Sequence, residues 1–355
     1  MATTIAGADG GTDRPVVSVI VPCRNEERFI GECLDSLVAQ TYPRERIEIL
    51  VADGGSTDGT RRVVEHHAQR DDRVRVIDNA RRFAASGLNR GIEAAVGSVI
   101  IRVDAHGTVA PDFIEQNVRL LRAHPEAWCV GGPIVHRGVG PTGQAIAIAM
   151  SHPFGVGNAK HRFADHEGYV ETTAFPAFWR STFDRVGAFD ERFVRNQDDE
   201  LSLRIARRGG RILVSAAVRY TYRVRERFGA LFRQYLQYGY WKVAVIRKHG
   251  RPASLRVFAP VLLVGSGCAS LVAWWLGSPL AAVVLAAPSG AYAVATVGVS
   301  LVIASGEVVG TAARVPVAFF LMHAGYGLGF AAALISWMRG VADRVPSRMT
   351  ESSRS

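Results

Sequence analysis

Two long stretches without a charged residue constrain this chain more than any other feature. One runs from Val257 to Gly306 and the other from Val315 to Met338, where His323 is the main polar residue. A helix needs about 20 apolar residues to cross the hydrocarbon core of a bilayer. The first stretch is long enough for two helices that meet near Gly277–Pro279, and the second for one more. Buried helices of a soluble core are the alternative, but such helices rarely lose all charge over these lengths.

The net charge of +10 is concentrated just before the first apolar stretch. Between Arg204 and Arg256 there are fourteen Lys or Arg residues and one acidic residue, Glu226. Such a block could bind nucleic acid, or it could face anionic lipid at the cytoplasmic surface of a membrane. Its position favours lipid, and the usual excess of cations on cytoplasmic flanks then places residues 1–256 in the cytoplasm. We therefore expect a multi-pass protein of the inner (cytoplasmic) membrane that binds membrane lipid and no nucleic acid.

Two membrane topologies, which differ in the side on which the C-terminus lies, are consistent with the sequence. Three spans would put Arg339, Arg344 and Arg348 on the outer side, against the usual distribution of cations. A re-entrant segment at residues 287–290 would return the C-terminus to the cytoplasmic side. The sequence leaves both topologies open.

Residues 16–138 alternate between strand and helix patterns, which predicts a mostly parallel α/β sheet. No G-x-G-x-x-G follows the first strand, which argues against a dinucleotide-binding dehydrogenase. The four cysteines are scattered and form no zinc pattern. The predicted strands are Val16–Val21, Ile47–Ala52, Val74–Ile77 and Ser98–Val103, and the predicted helices between them are Glu27–Gln40, Thr60–Gln69 and Ala84–Val96.

The rest of the soluble region changes character. Gly155–Gly168 is polar and predicts a mobile loop, whereas Phe228–Lys248 predicts an amphipathic helix in the headgroup region. The predicted organisation is a disordered tail (1–15), an α/β domain (16–227), a basic interfacial segment (228–256), about three transmembrane helices (257–338) and a polar tail (339–355).

Polar residues follow three of the predicted strands. They are Arg24–Glu26 after the first strand, Asp53 after the second and Asp104–His106 after a later one. Ligands of open α/β sheets bind beyond the carboxyl ends of the strands, so these residues predict a binding site at one edge. Taken singly, each Asp could be no more than a turn former.

Four segments carry a resemblance to a known family: "SVIVPCRNEE", "EILVADGGSTDGT", "GLNRGIEAAVGSVIIRVDAH" and "GAFDERFVRNQDDELSLRIARRG". Together they resemble inverting family 2 glycosyltransferases with the GT-A fold, over about residues 16–225. Within that family, Asp-x-His in place of Asp-x-Asp and the apolar C-terminal part are most similar to membrane-attached glucosyltransferases of succinoglycan-type exopolysaccharide synthesis. The resemblance implies a GT-A nucleotide-sugar-binding fold, whose sheet is mostly parallel and Rossmann-like, followed by a helical transmembrane segment.

The resemblance implies several residues that bind the nucleotide-sugar donor. Asp53 matches the family's nucleotide-binding Asp, and Gly54 stands where a second acidic residue is usual. Pro22 and Glu26 lie where the family lines the base pocket, and Arg24 is placed to reach the phosphates.

A divalent cation is the expected cofactor, because the departing diphosphate needs its negative charge stabilised and hard cations prefer oxygen ligands. The resemblance implies that Asp104 and Ala105 contact the donor and that Asp104 and His106 bind the metal. Imidazole suits Mn²⁺ better than Mg²⁺, so Mn²⁺ should be at least as effective. The alternatives are that His106 contacts phosphate or acceptor instead, or that this is only a capped strand end.

Inverting transfer is a single displacement at the anomeric carbon, so one carboxylate must take the proton of the attacking hydroxyl. The family's Glu-Asp pair, aligned through Leu201, falls on Gln197 and Asp198, which makes Asp198 the predicted catalytic base. Asp199 and Glu200 are the neighbours that could be confused with it, since adjacent helical residues point in different directions.

"QYGYW" is similar to the Gln-x-x-Arg-Trp motif of processive polysaccharide synthases, with Tyr240 in place of Arg. The resemblance implies an acceptor or donor loop at the membrane, formed by Gln237, Tyr240 and Trp241. An interfacial aromatic belt without a role in binding is the alternative.

These features predict an enzyme that moves a hexose, most simply glucose from UDP-glucose, to a hydroxyl of a polyprenyl-diphosphate-linked glycan. The product would serve exopolysaccharide or cell-envelope polysaccharide synthesis. A processive polysaccharide synthase and a polyprenyl-phosphate sugar synthase are the enzymatic alternatives. An inactive membrane scaffold with the same fold is the non-enzymatic one.

Overall fold

The computed structural model describes residues 14–252, 254–340 and 345–351, so most of the predicted tail 1–15 and part of the predicted tail 339–355 lie outside the described residues. The strands are β1 (Val17–Cys23), β2 (Ile47–Asp53), β3 (Val74–Asp78), β4 (Val99–Arg102), β5 (Gly107–Val109), β6 (Ala127–Gly131), β7 (Val135–Arg137), β8 (Gly168–Tyr169), β9 (Ala177–Trp179), β10 (Arg211–Val214) and β11 (Tyr220–Arg223). The helices are α1 (Ile30–Val38), α2 (Thr60–Arg70), α3 (Ala84–Ala94), α4 (Phe113–Ala123), α5 (Gly140–Ser151), α6 (Pro153–Val156), α7 (Ser181–Val186), α8 (Gln197–Arg207), α9 (Phe228–His249), α10 (Ala259–Trp275), α11 (Pro279–Ala304), α12 (Val309–Ala312) and α13 (Val315–Met338).

The chain divides into two compact units. The sheet unit comprises the described residues up to Ile134 together with Ala164–Arg192 and Leu201–Tyr222. The helical unit comprises Val135–Phe163, Phe193–Glu200 and the described residues from Arg223 onward.

The sheet unit contains an eight-stranded sheet in the order β3-β2-β1-β4-β9-β6-β10-β8. Strands β3, β2, β1 and β4 are parallel neighbours, and β6 is parallel to β10. Strand β9 is antiparallel to both β4 and β6, and β8 is antiparallel to β10. The prediction of an α/β sheet is confirmed, and the sheet is mixed, with four parallel and three antiparallel pairings. Its central strands are apolar runs because both of their faces are buried.

Helices cover both faces of this sheet. Helix α1 buries Ile30, Leu34 and Leu37 in the core on one face. Helix α3 buries Leu88 and Ile92 in a second core on the other face. The predicted strands and helices of residues 16–103 all occur, with ends that differ from the prediction by a few residues.

The helical unit contains three helices that are long and apolar enough to cross a membrane, as the sequence predicts. They are Leu255–Trp275, Pro279–Ala304 and Val309–Met338. The helix predicted at Phe228–Lys248 occurs as α9, and its place in the headgroup region stays a prediction. The helix α11 continues through Pro288, so the alternative of a re-entrant break at residues 287–290 is wrong. The segment predicted as a loop at residues 155–168 includes the end of α6 and a 3-10 turn at Lys160–Arg162.

Candidate functional site

Strand register places the predicted polar residues of the sheet unit at one edge. Cys23 pairs with Asp53 across β1 and β2, and the Gly54 amide donates to the Cys23 carbonyl at 2.9 Å. Strand β4 pairs with the other side of β1, and the Val103 amide donates to the Ile20 carbonyl at 3.0 Å. The residues that follow β1, β2 and β4 therefore emerge at the same carboxyl edge, where parallel sheets bind ligands.

Two loops at this edge are joined by hydrogen bonds. Asn25 has a left-handed backbone (φ 56°), and its side-chain oxygen accepts from the Thr57 amide at 2.8 Å. The Glu26 amide donates to the Thr60 hydroxyl at 2.7 Å. The Asp53 carboxylate accepts from the amide (3.1 Å) and the hydroxyl (2.6 Å) of Ser56. These bonds hold the residues after β1 against the turn that leads into α2.

Asp53 is almost completely buried, with 3% of its surface exposed. One of its oxygens holds the Ser56 turn, and the other lies 3.7 Å from the Arg61 guanidinium. The structure therefore gives Asp53 the turn-forming role, and its contact with a nucleotide remains a prediction.

The structure explains why Gly54 stands where an acidic residue is usual in the family. A Cβ atom at this position would lie 3.0 Å from the Arg82 carbonyl oxygen and 3.3 Å from the Arg24 Cβ. The backbone of residue 82 therefore occupies the space that a side chain would need. Arg24 thus lies next to the end of β2, as the predicted binding site at this edge of the sheet requires.

We expect Gly54→Asp to destabilise the protein rather than to add a second donor-binding acid. Forcing a side chain against a backbone carbonyl should lower the free energy of unfolding by about 1–3 kcal/mol. Denaturant unfolding of purified protein measures this change. Gly229→Asp is the matched control, because a Cβ there meets nothing within 4 Å, and it should change stability by less than about 0.5 kcal/mol. A stable Gly54→Asp variant with tighter donor binding would contradict the explanation.

Asp104 and His106 each have a partner that the sequence did not indicate. The Arg102 Nε donates to the Asp104 carboxylate at 2.9 Å, and both side chains are mostly buried. The His106 Nδ1 lies 3.1 Å from the Glu26 carboxylate, and the Tyr222 ring packs edge-on against the imidazole at 4.9 Å. Glu26 therefore orients His106, in addition to its predicted place near the base.

The metal ligands available at this edge fit a cation whose coordination is completed by phosphate oxygens. Within the described residues, no group of three or more His, Cys, Asp or Glu side chains is arranged to bind a metal. Asp104 and His106 supply one carboxylate and one imidazole. Metals that act on nucleotides commonly take only one or two protein ligands and obtain the rest from the phosphates.

Pro22 and Ala105 are at the edge but offer little side-chain surface. Ala105 is 1% exposed and belongs to the hydrophobic core, so any contact with a donor would come from its backbone. Pro22 is the penultimate residue of β1 and pairs with Ala52.

The predicted catalytic base belongs to the helical unit. Helix α8 begins at Gln197 and carries three acidic residues in its first turn. Asp199 forms an ion pair with Lys242 of α9. Glu200 is fully buried, and its carboxylate lies 2.6 Å from the Lys248 ammonium and 3.1 Å from the His249 Nε2. Asp199 and Glu200 therefore tie the first turn of α8 to α9. Asp198 and Asp199 are both partly exposed, and the Asp198 carboxylate accepts from the Asp199 amide at 2.9 Å.

Gln237, Tyr240 and Trp241 lie in the middle of α9, so the expectation that they form a loop is wrong. They are buried because polar partners from distant parts of the chain cover this side of the helix. The Gln237 side-chain Oε1 accepts from the Arg195 Nε at 3.1 Å, and the Gln237 side-chain Nε2 donates to the Glu351 backbone carbonyl at 2.9 Å. The Trp241 indole donates to the Met349 carbonyl at 3.0 Å.

Arg195 and the segment 345–351 are neighbours of this motif that the sequence did not reveal. They lie 42 and more than 100 residues from their partners on α9, and neither carries a pattern that indicates the contact. Only the folded helical unit brings them together.

Comparisons with known proteins agree with this architecture. The family model "Glycosyl transferase family 2" matches residues 18–187. The chain is 31% identical to the "Succinoglycan biosynthesis protein ExoA" of Rhizobium meliloti (strain 1021) over 329 residues, which are 91% of this chain and 96% of that protein. It is 28% identical over 240 residues to a dolichyl N-acetyl-alpha-D-glucosaminyl phosphate 3-beta-D-2,3-diacetamido-2,3-dideoxy-beta-D-glucuronosyltransferase of Methanococcus voltae, covering 65% of this chain and 74% of that one.

A solved structure shares the fold over most of the chain. The mannosyltransferase PcManGT from Pyrobaculum calidifontis, in complex with GDP-Man and Mn²⁺, has a TM-score of 0.57 and 24% identity. The match covers 89% of this chain and 88% of that one. At this identity the likeness establishes the GT-A fold alone.

Proposed function

Because the chain belongs to glycosyl transferase family 2, we propose that it is an inverting hexosyltransferase with glucose from UDP-glucose as its donor. The acceptor is a hydroxyl of a polyprenyl-diphosphate-linked glycan, and the product enters exopolysaccharide or cell-envelope polysaccharide synthesis. The observation that carries this proposal is the similarity to a succinoglycan biosynthesis protein, which extends over 96% of that protein. The match is long enough to include the apolar C-terminal helices as well as the sheet.

The reaction places different demands on the two units. The edge of the sheet unit binds the donor, with Asp53 at the nucleotide and Arg24 at the phosphates. Asp104 and His106 would hold a divalent cation, which would stabilise the negative charge of the departing diphosphate. Glu26 fixes the imidazole of His106 through its Nδ1, and Arg102 fixes the carboxylate of Asp104. Asp198 accepts the proton of the attacking hydroxyl.

Membrane attachment brings the enzyme to a lipid-linked acceptor. Three helices of the helical unit are long and apolar enough to enter a bilayer. We place the protein in the inner membrane with residues 1–256 in the cytoplasm, because the basic block of residues 204–256 precedes these helices. The acceptor's isoprenoid chain would lie in the cytoplasmic leaflet of the same membrane.

A screen of nucleotide sugars against extracted polyprenyl-linked glycans tests the proposal. Membranes containing the protein should release UDP fastest with UDP-glucose and the lipid-linked glycan together, and the product should carry one additional hexose. Transfer to polyprenyl phosphate alone would indicate a polyprenyl-phosphate sugar synthase. Long polymer formed without the lipid-linked glycan would indicate a processive synthase, and either result would contradict the proposal.

The metal preference should depend on His106. Chelation with EDTA should abolish transfer, and Mn²⁺ should restore it at least as well as Mg²⁺, because imidazole favours the softer ion. His106→Asp should shift the ratio of rates toward Mg²⁺ and weaken Mn²⁺ binding, as measured by electron paramagnetic resonance in the presence of UDP. His66→Asp on the exposed side of α2 is the matched control. An unchanged ratio in His106→Asp would remove His106 from the metal site.

A further inference from the structure

Helix α13 runs beside α9 in the same direction. Four close approaches join the two helices, and their residue numbers rise together along both. They are Gly325 with Phe232, Gly329 with Leu236, Phe330 with Gly239 and Trp337 with Arg247. These approaches extend over 15 residues of α9, or about 22 Å at 1.5 Å per residue. Over this length the two helices therefore lie at the same depth relative to any membrane.

Glycines let the two backbones approach closely. A Cβ atom on Gly329 would overlap the Leu236 carbonyl, and one on Gly239 would overlap the Tyr326 carbonyl. The pairing is thus a fixed part of the helical unit, and α13 cannot move to another depth without α9.

Helix α9 carries charged side chains that pair with the acidic residues of the first turn of α8. Lys242 pairs with Asp199, and Lys248 and His249 contact Glu200. If α9 crossed the bilayer, these groups and Arg233 and Arg247 would enter the hydrocarbon, where ionised side chains are strongly disfavoured. Helix α9 therefore lies outside the hydrocarbon core, and the depth of α13 follows from it.

Both ends of α13 contact parts of the chain that precede the first apolar helix. Near its start, the Phe319 ring packs edge-on against Phe154 of α6 at 5.0 Å and lies 5.8 Å from the His152 ring. After its end, residues 345–351 return to α9, where Met349 and Glu351 accept the hydrogen bonds from Trp241 and Gln237. Within the described residues, no helix before Leu255 qualifies as a span, so all of these partners lie on one side of a membrane.

Burial separates α13 from the other two apolar helices. Only 6% of the first candidate span and 11% of the second are buried in the protein, against 50% of the third. Most of the exposed apolar residues of α13 recur on one face of the helix, whereas those of α10 and α11 surround both helices. The exposed residues on this face of α13 are Val317, Phe320, Leu328, Ile335 and Met338. Trp337 is also exposed, but it lies on the opposite face, where the Arg247 guanidinium of α9 is over its ring.

We propose that only the α10–α11 hairpin penetrates the bilayer, and that α13 lies along the membrane surface beside α9 with its exposed apolar face against the lipid acyl chains. Residues 345–351 are then on the same side as residues 193–200. This inference rests on the membrane attachment proposed above. It also places Arg339 on the cytoplasmic side, as the usual distribution of cations requires.

Labelling of single cysteines in membrane vesicles tests the inference. The background is Cys268→Ser, because Cys268 is the exposed thiol among the described residues. Cys23, Cys33 and Cys129 are buried, and burial raises the pKa of each thiol, so they stay protonated and unreactive toward maleimide. The test variant is Ser347→Cys and the matched control is Asp184→Cys on α7, both at exposed positions.

An impermeant maleimide should label both variants in inside-out vesicles and neither in right-side-out vesicles. Labelling of Ser347→Cys from the opposite side to Asp184→Cys would overturn the inference while leaving membrane attachment intact. Release of the protein by carbonate washing would instead overturn the membrane attachment itself. The two failures are therefore distinguishable.

The depth of α13 gives a second measurement that does not depend on Ser347. Nitroxide labels at Val317, Leu328 and Ile335 should report the same depth, at the boundary between headgroups and acyl chains, from their relative accessibility to oxygen and to a nickel chelate. A label at Val284 of α11 should lie deeper. If α13 crossed the bilayer, Leu328 would be the deepest of the three sites, and the inference would be wrong.

Discussion

Replacing Asp198 with Asn is expected to lower the rate of glycosyl transfer by about 10²–10⁴-fold, which is the usual contribution of a general base. Asn has the same shape but cannot accept the proton of the attacking hydroxyl. Affinity for the donor should change little, because the residues proposed to bind the nucleotide sugar are at the edge of the sheet unit. Release of UDP by membranes with saturating donor and lipid-linked acceptor measures the rate, and a fluorescent nucleotide measures the affinity.

Two further variants make this result specific. Asp199→Asn should keep most of the activity, since its carboxylate is engaged with Lys242. Asp184→Asn on the exposed face of α7 should be indistinguishable from the parent enzyme. Full activity in Asp198→Asn with a large loss in Asp199→Asn would move the catalytic base by one residue. Full activity in all three would mean that Asp198 is not the base, and no activity in the parent protein or in any variant would favour the inactive scaffold.

The sheet could be predicted because its information is local. Continuous apolar runs such as Ile47–Ala52 indicate strands buried on both faces, and the observed β2 differs from the predicted strand by one residue. The insertion of β9 between β4 and β6 could not be predicted, because strand order depends on contacts between residues far apart in the sequence. Local patterns carry no information about such pairing.

The candidate site, like the sheet, has features that local sequence patterns predict and features that only distant contacts determine. Polar residues at strand ends located the edge that holds Asp53, Asp104 and His106. The Glu26–His106 contact joins residues 80 positions apart, so only the fold reveals which carboxylate orients the imidazole. A shared motif likewise indicated Trp241 but not its partner near the C-terminus. Sequence patterns thus identify the reacting groups better than the residues that position them.

Glu200→Ala should lower the free energy of unfolding by about 3–5 kcal/mol, the range observed when one partner of a buried ion pair is removed. The Glu200 carboxylate is completely buried and contacts both Lys248 and His249, and His249 is itself 7% exposed. Without the carboxylate, these cationic and polar groups would remain partly buried with no acceptor in place of Glu200. Denaturant or thermal unfolding of the protein in detergent measures the loss.

The control for Glu200→Ala is an exposed ion pair of similar chemistry. Glu93→Ala removes the partner of Arg90 on the surface of α3, and it should change stability by less than about 1 kcal/mol. Glu200→Gln keeps the shape and one hydrogen bond to His249, so its loss should fall between the two. A loss below about 1 kcal/mol in Glu200→Ala would mean that the Glu200 cluster does not hold α8 against α9. In that case the position of Asp198, two residues earlier in the same helix, would need another support.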